Sequence, residues 1–313
     1  MMIDLTPRRV SEPADFGRVA LLVGGASAER DVSLDGGHSV SKALKKLGIR
    51  HELYDGQDRL FDAIFARQVD RVFNLMHGPG GEDGAIQGAL QLMNVPMTGS
   101  GLVGSALTMD KVRSKWVLQR LGLPTPAFER VTTISDARSA AETFGLPVFI
   151  KPNNLGSSIG ISKVEDEEAL EPAFTLARQF SAEILVEQFI AGGEYFTGVL
   201  ERQTFPLIGI ETPRAFYDYQ AKYLSDDTRY FCPCGLAPDL ERSLQERSMD
   251  VFDALGASGW GRVDFILDEH SDPWFLEVNT IPGMTDHSLL PQAAAEVGVG
   301  FEELVWRILE TSL

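Results

Sequence analysis

The sequence predicts a protein of mixed α/β and α+β class that opens with a Rossmann-like parallel sheet. Three observations carry this. Near the N-terminus, apolar strand-length runs alternate with helically periodic stretches, the pattern that requires parallel crossovers. Further on, strands follow one another across short Gly/Ser or Asp-rich loops, as in an α+β arrangement. Between the two lies an extended, proline-rich connector, LPTPAF, from Leu123.

The elements follow in order. Arg18–Val23 (RVALLV) is a continuous apolar strand closed by Gly24-Gly25. From Ser33 a helix is expected, because Val40, Ala43, Leu44 and Leu47 share one face, and Gly48 ends it. Ile49–Tyr54 is a second strand, a helix covers the region near Arg59–Arg67, and Arg71–Met76 is a third strand. In a parallel sheet ligands gather beyond the carboxyl ends of the strands, which here lead into GGASAERD (from Gly24) and HGPGGEDG (from His77). Asp110 caps a helix that Gly122 stops. A helix near Ser135–Phe144, the strand LPVFIKP, the loop NNLGSS, the strand IGISKV, a helix near Asp166–Phe180 and the strand EILVEQFI form a compact unit. The remainder carries the polar-aromatic segment Ala215–Phe231, a helix near Asp239–Leu255, the strands GRVDFIL and WFLEV, and a final helix Phe301–Leu309.

Composition narrows the function. The net charge is −17 over 313 residues, which opposes the basic stripe that nucleic acid requires and opposes docking on anionic lipid. A local cluster of lysines can still make a pocket for a small anion. Cys232 and Cys234 are the only cysteines; their spacing is not that of a zinc site, and their scarcity suits a reducing compartment. No stretch has the apolar core of a signal peptide or a transmembrane span. We therefore expect a cytoplasmic protein with a mobile N-terminal extension.

Several stretches carry chemistry, each beside a plainer alternative. In GRVDFIL and FLEVNT, Arg262 and Asp264 share one strand face, and Glu277 and Asn279 share another. If the strands are neighbours, three hard oxygen donors converge in a manner suited to Mg²⁺ with phosphates completing its sphere; the alternative is an exposed polar face. In VFIKPNNLGSSIGIS, Lys151 ends a buried strand before a Gly/Ser loop. That combination suits phosphate, or is only a hairpin turn. Lys111 read alone is a solvated helix lysine, His77 a polar rim residue, and Glu29 a surface carboxylate. FYDYQAKYLSDDTRYF is either a self-packed excursion or a lid over a site.

Together these stretches resemble the D-alanine–D-alanine ligase family of ATP-grasp enzymes. The resemblance rests on GGASAERDVS, HGPGGEDGAIQG, TGSG, MDKVRSK, KPNNLGSSIGISKV, YDYQAKYLSDDTRYFCP, GWGRVDF and EVNTIPGMTDHSLLP, in the family's order from about Val19 to Leu309. It implies a three-domain ATP-grasp fold. The expected division is a flexible extension at 1–16, a Rossmann-like substrate domain at 17–107, a central domain at 108–188, and a C-terminal domain at 189–313 with a lid at 211–231. The lid is expected to be open or disordered without ligands.

The resemblance also implies roles. Lys111 and Lys151 match lysines that hold ATP phosphates. Glu187, Phe189 and Ile190 fall at the adenine hinge, and Glu194 at the ribose carboxylate. Asp264, Glu277 and Asn279 match ligands of two Mg²⁺ ions, for which Mn²⁺ also serves. Glu29 matches the residue that receives the first D-alanine's ammonium group, with His77 nearby. Ser157 and Tyr223 match partners linking the Gly/Ser loop, the lid and Glu29. Lys222 and Ser288, with the adjoining Leu289, match the surroundings of the second D-alanine's carboxylate. Arg262 and the Gly283 N–H match the donors to a tetrahedral oxyanion. Gln188-Phe189 departs from a Lys-Trp-like pair found in some relatives. A homodimer is expected from the family. The alternatives are a D-alanine–D-lactate ligase, another ATP-grasp carboxylate–amine ligase, or a non-catalytic ATP sensor; Lys222-Tyr223 in the lid resembles the dipeptide-forming type.

Overall fold

A computed structural model describes residues 7–212, 227–285 and 288–313. Its first sheet is parallel, in the order β2-β1-β3, built from β1 (Val19–Val23), β2 (His51–Asp55) and β3 (Arg71–Asn74). Every residue of β1 is buried, as a central strand covered on both faces requires. The crossovers are α1 (Arg30–Lys46) and α2 (Gln57–Phe65). Helix α1 begins three residues before the expected Ser33. Glu29 stands at its N-cap, where the helix dipole favours a carboxylate.

Two short helices, α3 (Ala85–Leu92) and α4 (Leu102–Met109), lead to α5 (Lys111–Arg120). The sequence reading assigned no helix to either short stretch. Asp110 caps α5 as expected, its side chain accepting the Arg113 N–H. The loop beyond the Gly/Ser-rich strand also ties this helix down, since Asn153 Oδ1 accepts the Val112 N–H at 2.9 Å.

The second sheet is antiparallel, in the order β4-β7-β5-β6, from β4 (Phe128–Val131), β5 (Val148–Pro152), β6 (Ser162–Val164) and β7 (Ile184–Gln188). Helices α6 (Ile134–Phe144) and α7 (Leu170–Arg178) cover one face. Alanines 137, 140, 141, 173 and 177 with Phe174, Val148, Ile150 and Ile184 form its core. Thr133 and Asp136 close a reciprocal capping box at the start of α6.

The third sheet runs β11-β10-β8-β12-β13, with β9 paired to β8. Its strands are β8 (Gly192–Leu200), β9 (Gln203–Thr204), β10 (Ile208–Glu211), β11 (Arg229–Phe231), β12 (Trp260–Asp268) and β13 (Pro273–Asn279). Helix α8 (Pro238–Ala254) packs on one face. Helices α9 (Leu289–Glu296) and α10 (Phe301–Glu310) pack on the other side, in a core shared with β1 and α1.

In the N-terminal stretch, contacts with the rest of the fold begin at residue 8. Arg8 bonds Glu303 and stacks on the Trp306 ring at 4.1 Å. Buried Glu310 accepts the Arg9 N–H at 2.7 Å. Phe16 is fully buried edge-on to Trp306, with ring centroids 4.9 Å apart. Buried polar groups need hydrogen-bond partners, and Glu310 also accepts from Trp306 Nε1 and Arg307 Nη1.

Candidate active site

The antiparallel pairing of β12 with β13 sets Asp264 opposite Glu277 and Arg262 opposite Asn279. Directly paired residues project to one face, and so do residues two apart on a strand. The four side chains therefore converge, as the sequence reading required. A register irregularity between Asp264 and Phe265 lies at this point, a common device for re-aiming side chains at a site.

Each carboxylate is already matched by a cation. Arg262 forms a two-point bond to Asp264, Nε–Oδ1 and Nη2–Oδ2 both at 2.7 Å. Lys111 Nζ lies 2.9 Å from Glu277 Oε2 and donates to the Leu155 carbonyl at 2.9 Å. Burial alone would depress the Lys111 ammonium; Glu277, with Glu29 and Glu187 more distant, outweighs that and holds it above its ordinary value.

Two cavities meet here. One, of about 700 Å³, is lined by Glu29, His77, Glu82, Lys111, Ser157, Arg262, Glu277, Asn279, Gly283, Ser288 and Leu289, among others. The other, of about 430 Å³, is lined by Lys111, Lys151, Glu187, Phe189, Ile190, Glu194, Asp264 and Glu277, among others. Among the described residues, those expected around amino-acid substrates thus lie in the first, and those expected around a nucleotide lie in the second. Lys111 and Glu277 belong to both.

In the first cavity, Glu29 is buried and its Oε1 accepts a short hydrogen bond from Ser157 Oγ. Gly156 lies close beside it: a Cβ there would stand 2.8 Å from Glu29 Oε1, so a larger residue would displace that carboxylate. Glu29 Oε2 is buried with no hydrogen-bond partner in the described structure, an acceptor suited to an incoming ammonium. His77 Nδ1 lies 2.7 Å from the Leu75 carbonyl. A carbonyl only accepts, so that nitrogen carries the proton and buried Nε2 presents a lone pair without a partner. Burial pushes the imidazole below its ordinary value, against the pull of Glu29. Ser288 stands at the N-cap position of α9, and its Oγ accepts the Thr285 N–H at 2.9 Å. A Cβ on Gly283 would meet Ser288 Oγ at 2.9 Å, so a side chain there would push that hydroxyl aside. Lys222, Tyr223 and Asp286 lie outside the described residues.

In the second cavity, the Phe149 and Phe189 rings are 6.1 Å apart. Lys163 Nζ stands 4.6 Å from the Phe189 ring centre. Glu187, expected at an adenine hinge, is 1% exposed and bonded to two lysines, Lys115 at 2.6 Å and Lys151. Burial alone would raise its carboxyl, but the two lysines hold it below the usual range.

Sequence reasoning passed over Lys115 and Glu82. Lys115 sits four residues after Lys111 on α5, the spacing that places two side chains on one helix face, and that signal was available. Glu82 lies in a turn-rich loop, where a carboxylate carries no such signal. It is buried, and Oε2 accepts the Gly78 N–H at 2.6 Å. Burial, then the charge of Glu29, push its carboxyl well above the ordinary value.

The metal expectation fits these residues. Asp264 and Glu277 are hard donors on one face, and Asn279 Oδ1 accepts only the Ile281 N–H at 3.0 Å, which leaves a second lone pair. Among the described residues no cluster of three His, Cys, Asp or Glu forms a ready cage. Mg²⁺ does not need one, since it binds through one or two carboxylates plus substrate phosphates.

Comparison with known proteins identifies a family. Residues 117–310 match the family described as D-ala D-ala ligase C-terminus, and residues 50–100 the D-ala D-ala ligase N-terminus. A D-alanine–D-alanine ligase of Methylococcus capsulatus is 47% identical over 97% of this chain and 99% of its own length. The crystal structure of the Bacillus anthracis D-alanine–D-alanine ligase superposes with TM-score 0.83 at 30% identity, over 94% of this chain and 97% of that one. The same enzyme complexed with ATP gives 0.81 at 29% identity, over the same shares of the two chains. With a mixed α/β ATP-grasp architecture matched over nearly its whole length, the chain belongs to the D-alanine–D-alanine ligase family.

Proposed function

We propose that this protein joins two molecules of D-alanine into D-alanyl-D-alanine at the expense of ATP, as a step in making peptidoglycan precursors. The observation that carries this reading is the junction of two cavities at Lys111 and Glu277. A nucleotide in one and an amino acid in the other would bring a γ-phosphate and a carboxylate together there. The relatives' names and the ATP complex of a structural neighbour support the same chemistry.

The reaction has two steps. The carboxylate of the first D-alanine attacks the γ-phosphorus, ADP leaves, and an acyl phosphate forms. The amine of the second D-alanine attacks the acyl carbon, phosphate leaves, and a peptide bond results. Glu29 receives the first ammonium group on its unpartnered oxygen, and His77 Nε2 offers a neutral acceptor beside it. Lys111 and Lys151 hold the phosphates as point charges. Arg262 and the Gly283 N–H face the developing oxyanion, and Ser288 with Leu289 positions the second substrate. Asp264, Glu277 and Asn279 would hold two Mg²⁺ ions (or Mn²⁺), which would supply charge neutralisation on the phosphates. Phe189, Ile190 and Glu194 border the nucleoside.

The three sheets suit a division into residues 17–107, 108–188 and 189–313. No helix among the described residues is long and apolar enough to cross a membrane. A cytoplasmic homodimer completes the proposal. The test is ADP release by the purified protein with Mg²⁺ and ATP. Release that requires D-alanine and yields the dipeptide is expected; release indifferent to D-alanine would overturn the reading.

A further inference from the structure

The observation that starts this inference lies behind the nucleotide cavity rather than in it. Lys115 is 1% exposed, among the most deeply buried large side chains in the protein, and it does not line either cavity. Its Nζ lies 2.6 Å from Glu187 Oε2, donates to Thr125 Oγ1 at 2.5 Å, and stands 5.5 Å from the Phe128 ring centre. Thr125 Oγ1 in turn donates to the Phe275 carbonyl at 2.8 Å, which ties the group to β13. The other oxygen of Glu187 is taken by Lys151, and Lys151 does line the cavity.

The charge arithmetic of this cluster is specific. A single buried carboxylate paired with a single lysine is neutral, and Lys151 so paired would present little field to a polyphosphate. Two lysines on one carboxylate leave one net positive charge. Of the two lysines only Lys151 lines the cavity, beside Glu187 itself, so the surplus is presented there through Lys151. A buried ammonium costs several kcal/mol to desolvate, and a core methyl-bearing side chain would fill the same space without that cost. The position therefore retains a charge that packing alone does not call for.

We propose that Lys115 is a positioning residue for nucleotide binding, which occupies one oxygen of Glu187 so that the positive charge of Lys151 remains available to the phosphates. Lys115 itself does not touch the nucleotide. The inference rests on the reading of the second cavity as a nucleotide site.

The charge of Lys115 is itself titratable within a convenient range. Burial lowers the ammonium to about 8, with Lys151 acting in the same direction and Glu187 and Glu277 opposing it. These groups face it from β5, β7 and β13, and Lys111 shares its helix. Below that pH the cluster carries its surplus charge; above it Lys115 becomes neutral and the surplus is lost. Affinity for phosphates is expected to fall as pH rises through about 8.

The experiment is calorimetric titration of Mg·ADP into the wild-type protein and Lys115→Met between pH 7 and 9.5, with steady-state KM values for ATP and D-alanine. At pH 7 the variant is expected to bind Mg·ADP about tenfold more weakly, a loss of about 1.4 kcal/mol. KM for D-alanine should stay within about twofold of wild type. The wild-type affinity should decline through about pH 8, and the variant should lack that decline. Unchanged Mg·ADP affinity in a folded variant, a decline that survives in it, or a parallel rise of both KM values would overturn the proposal. If Lys115→Met does not fold, the wild-type titration decides alone, since a flat profile across this range overturns it. A wild-type protein that binds no Mg·ADP at any pH would instead overturn the nucleotide reading on which the inference rests.

Discussion

Asp264 and Glu277 face each other across the β12–β13 pair, and a different cation holds each: Arg262 on the first and Lys111 on the second. The site is thus poised electrostatically before any ligand arrives. On the proposed function, Mg²⁺ arriving with phosphates would compete with those cations for the same oxygens. Glu277→Gln halves the carboxylate donors and frees Lys111 from its 2.9 Å partner. The apparent Mg²⁺ requirement should rise about tenfold or more, a range seen when a residue supporting a metal site is replaced. An unchanged Mg²⁺ titration of activity would remove Glu277 from the metal set.

Arg262→Ala removes a proposed oxyanion donor. Loss of one such donor costs about 10²–10³ in kcat. The same change leaves Asp264, 3% exposed, without its two-point partner. The variant's Tm should therefore fall in the absence of metal and recover with Mg²⁺ and ADP. Wild-type turnover in a folded Arg262→Ala protein would refute the assignment.

Ser157→Ala removes the hydroxyl that donates to Glu29 Oε1. A hydrogen bond to a charged group contributes about 1.5–3 kcal/mol, so KM for the first D-alanine or kcat should change by roughly 10- to 100-fold. The fold should be unaffected, because the Gly/Ser loop lies at the cavity wall rather than in a core. Kinetics identical to wild type would show that this contact does not organise Glu29 for the substrate ammonium group.

Glu82 predicts a pH-dependent stability. Its folded carboxyl is held well above its ordinary value by burial and by Glu29. The native state therefore keeps a proton that the unfolded chain releases near pH 4.5, and stability falls as pH rises from there. Glu82→Gln mimics the protonated form and keeps an acceptor for the Gly78 N–H. Urea unfolding of that variant should lose this slope and show higher stability than wild type at pH 8, by about 1.4 kcal/mol for each unit by which the native value is raised. His77 acts in the opposite sense: its lowered value costs stability as pH falls below about 6.5. An unaltered pH profile in Glu82→Gln would contradict the buried protonated acid.

Phe16 tests the anchoring of the N-terminal stretch. Fully buried against Trp306, it should cost about 3–5 kcal/mol when replaced by alanine. A change in denaturation midpoint within experimental scatter would mean that the segment is not part of the fold.

Much of this was legible beforehand, for physical reasons that differ by element. β1 and α5 were read correctly because an all-apolar run between glycines and an Asp cap are local signals. The convergence of Asp264, Glu277 and Asn279 was legible as a condition, since strand period alone places residues two apart on one face. Helices α3 and α4 were not read, because Gly88, Gly101 and Gly104 lower local helix propensity. At Gly104 the reason for glycine is tertiary: a Cβ there would stand 2.2 Å from the Gly256 carbonyl. The N-terminal stretch looked polar and unanchored for the same reason, as Glu303 and Glu310 lie nearly three hundred residues away in the chain.

The sequence by itself determined the alternation of elements, the residue types of the site and the family they resemble, because these rest on periodicity, caps and ordered short motifs. Only the tertiary structure decided which charges neutralise which. Whether Glu187 meets a ligand or two lysines, and whether Glu82 holds a proton, depends on burial and on neighbours from separate strands and helices. Desolvation and Coulomb interaction act through space, and linear order does not encode those distances.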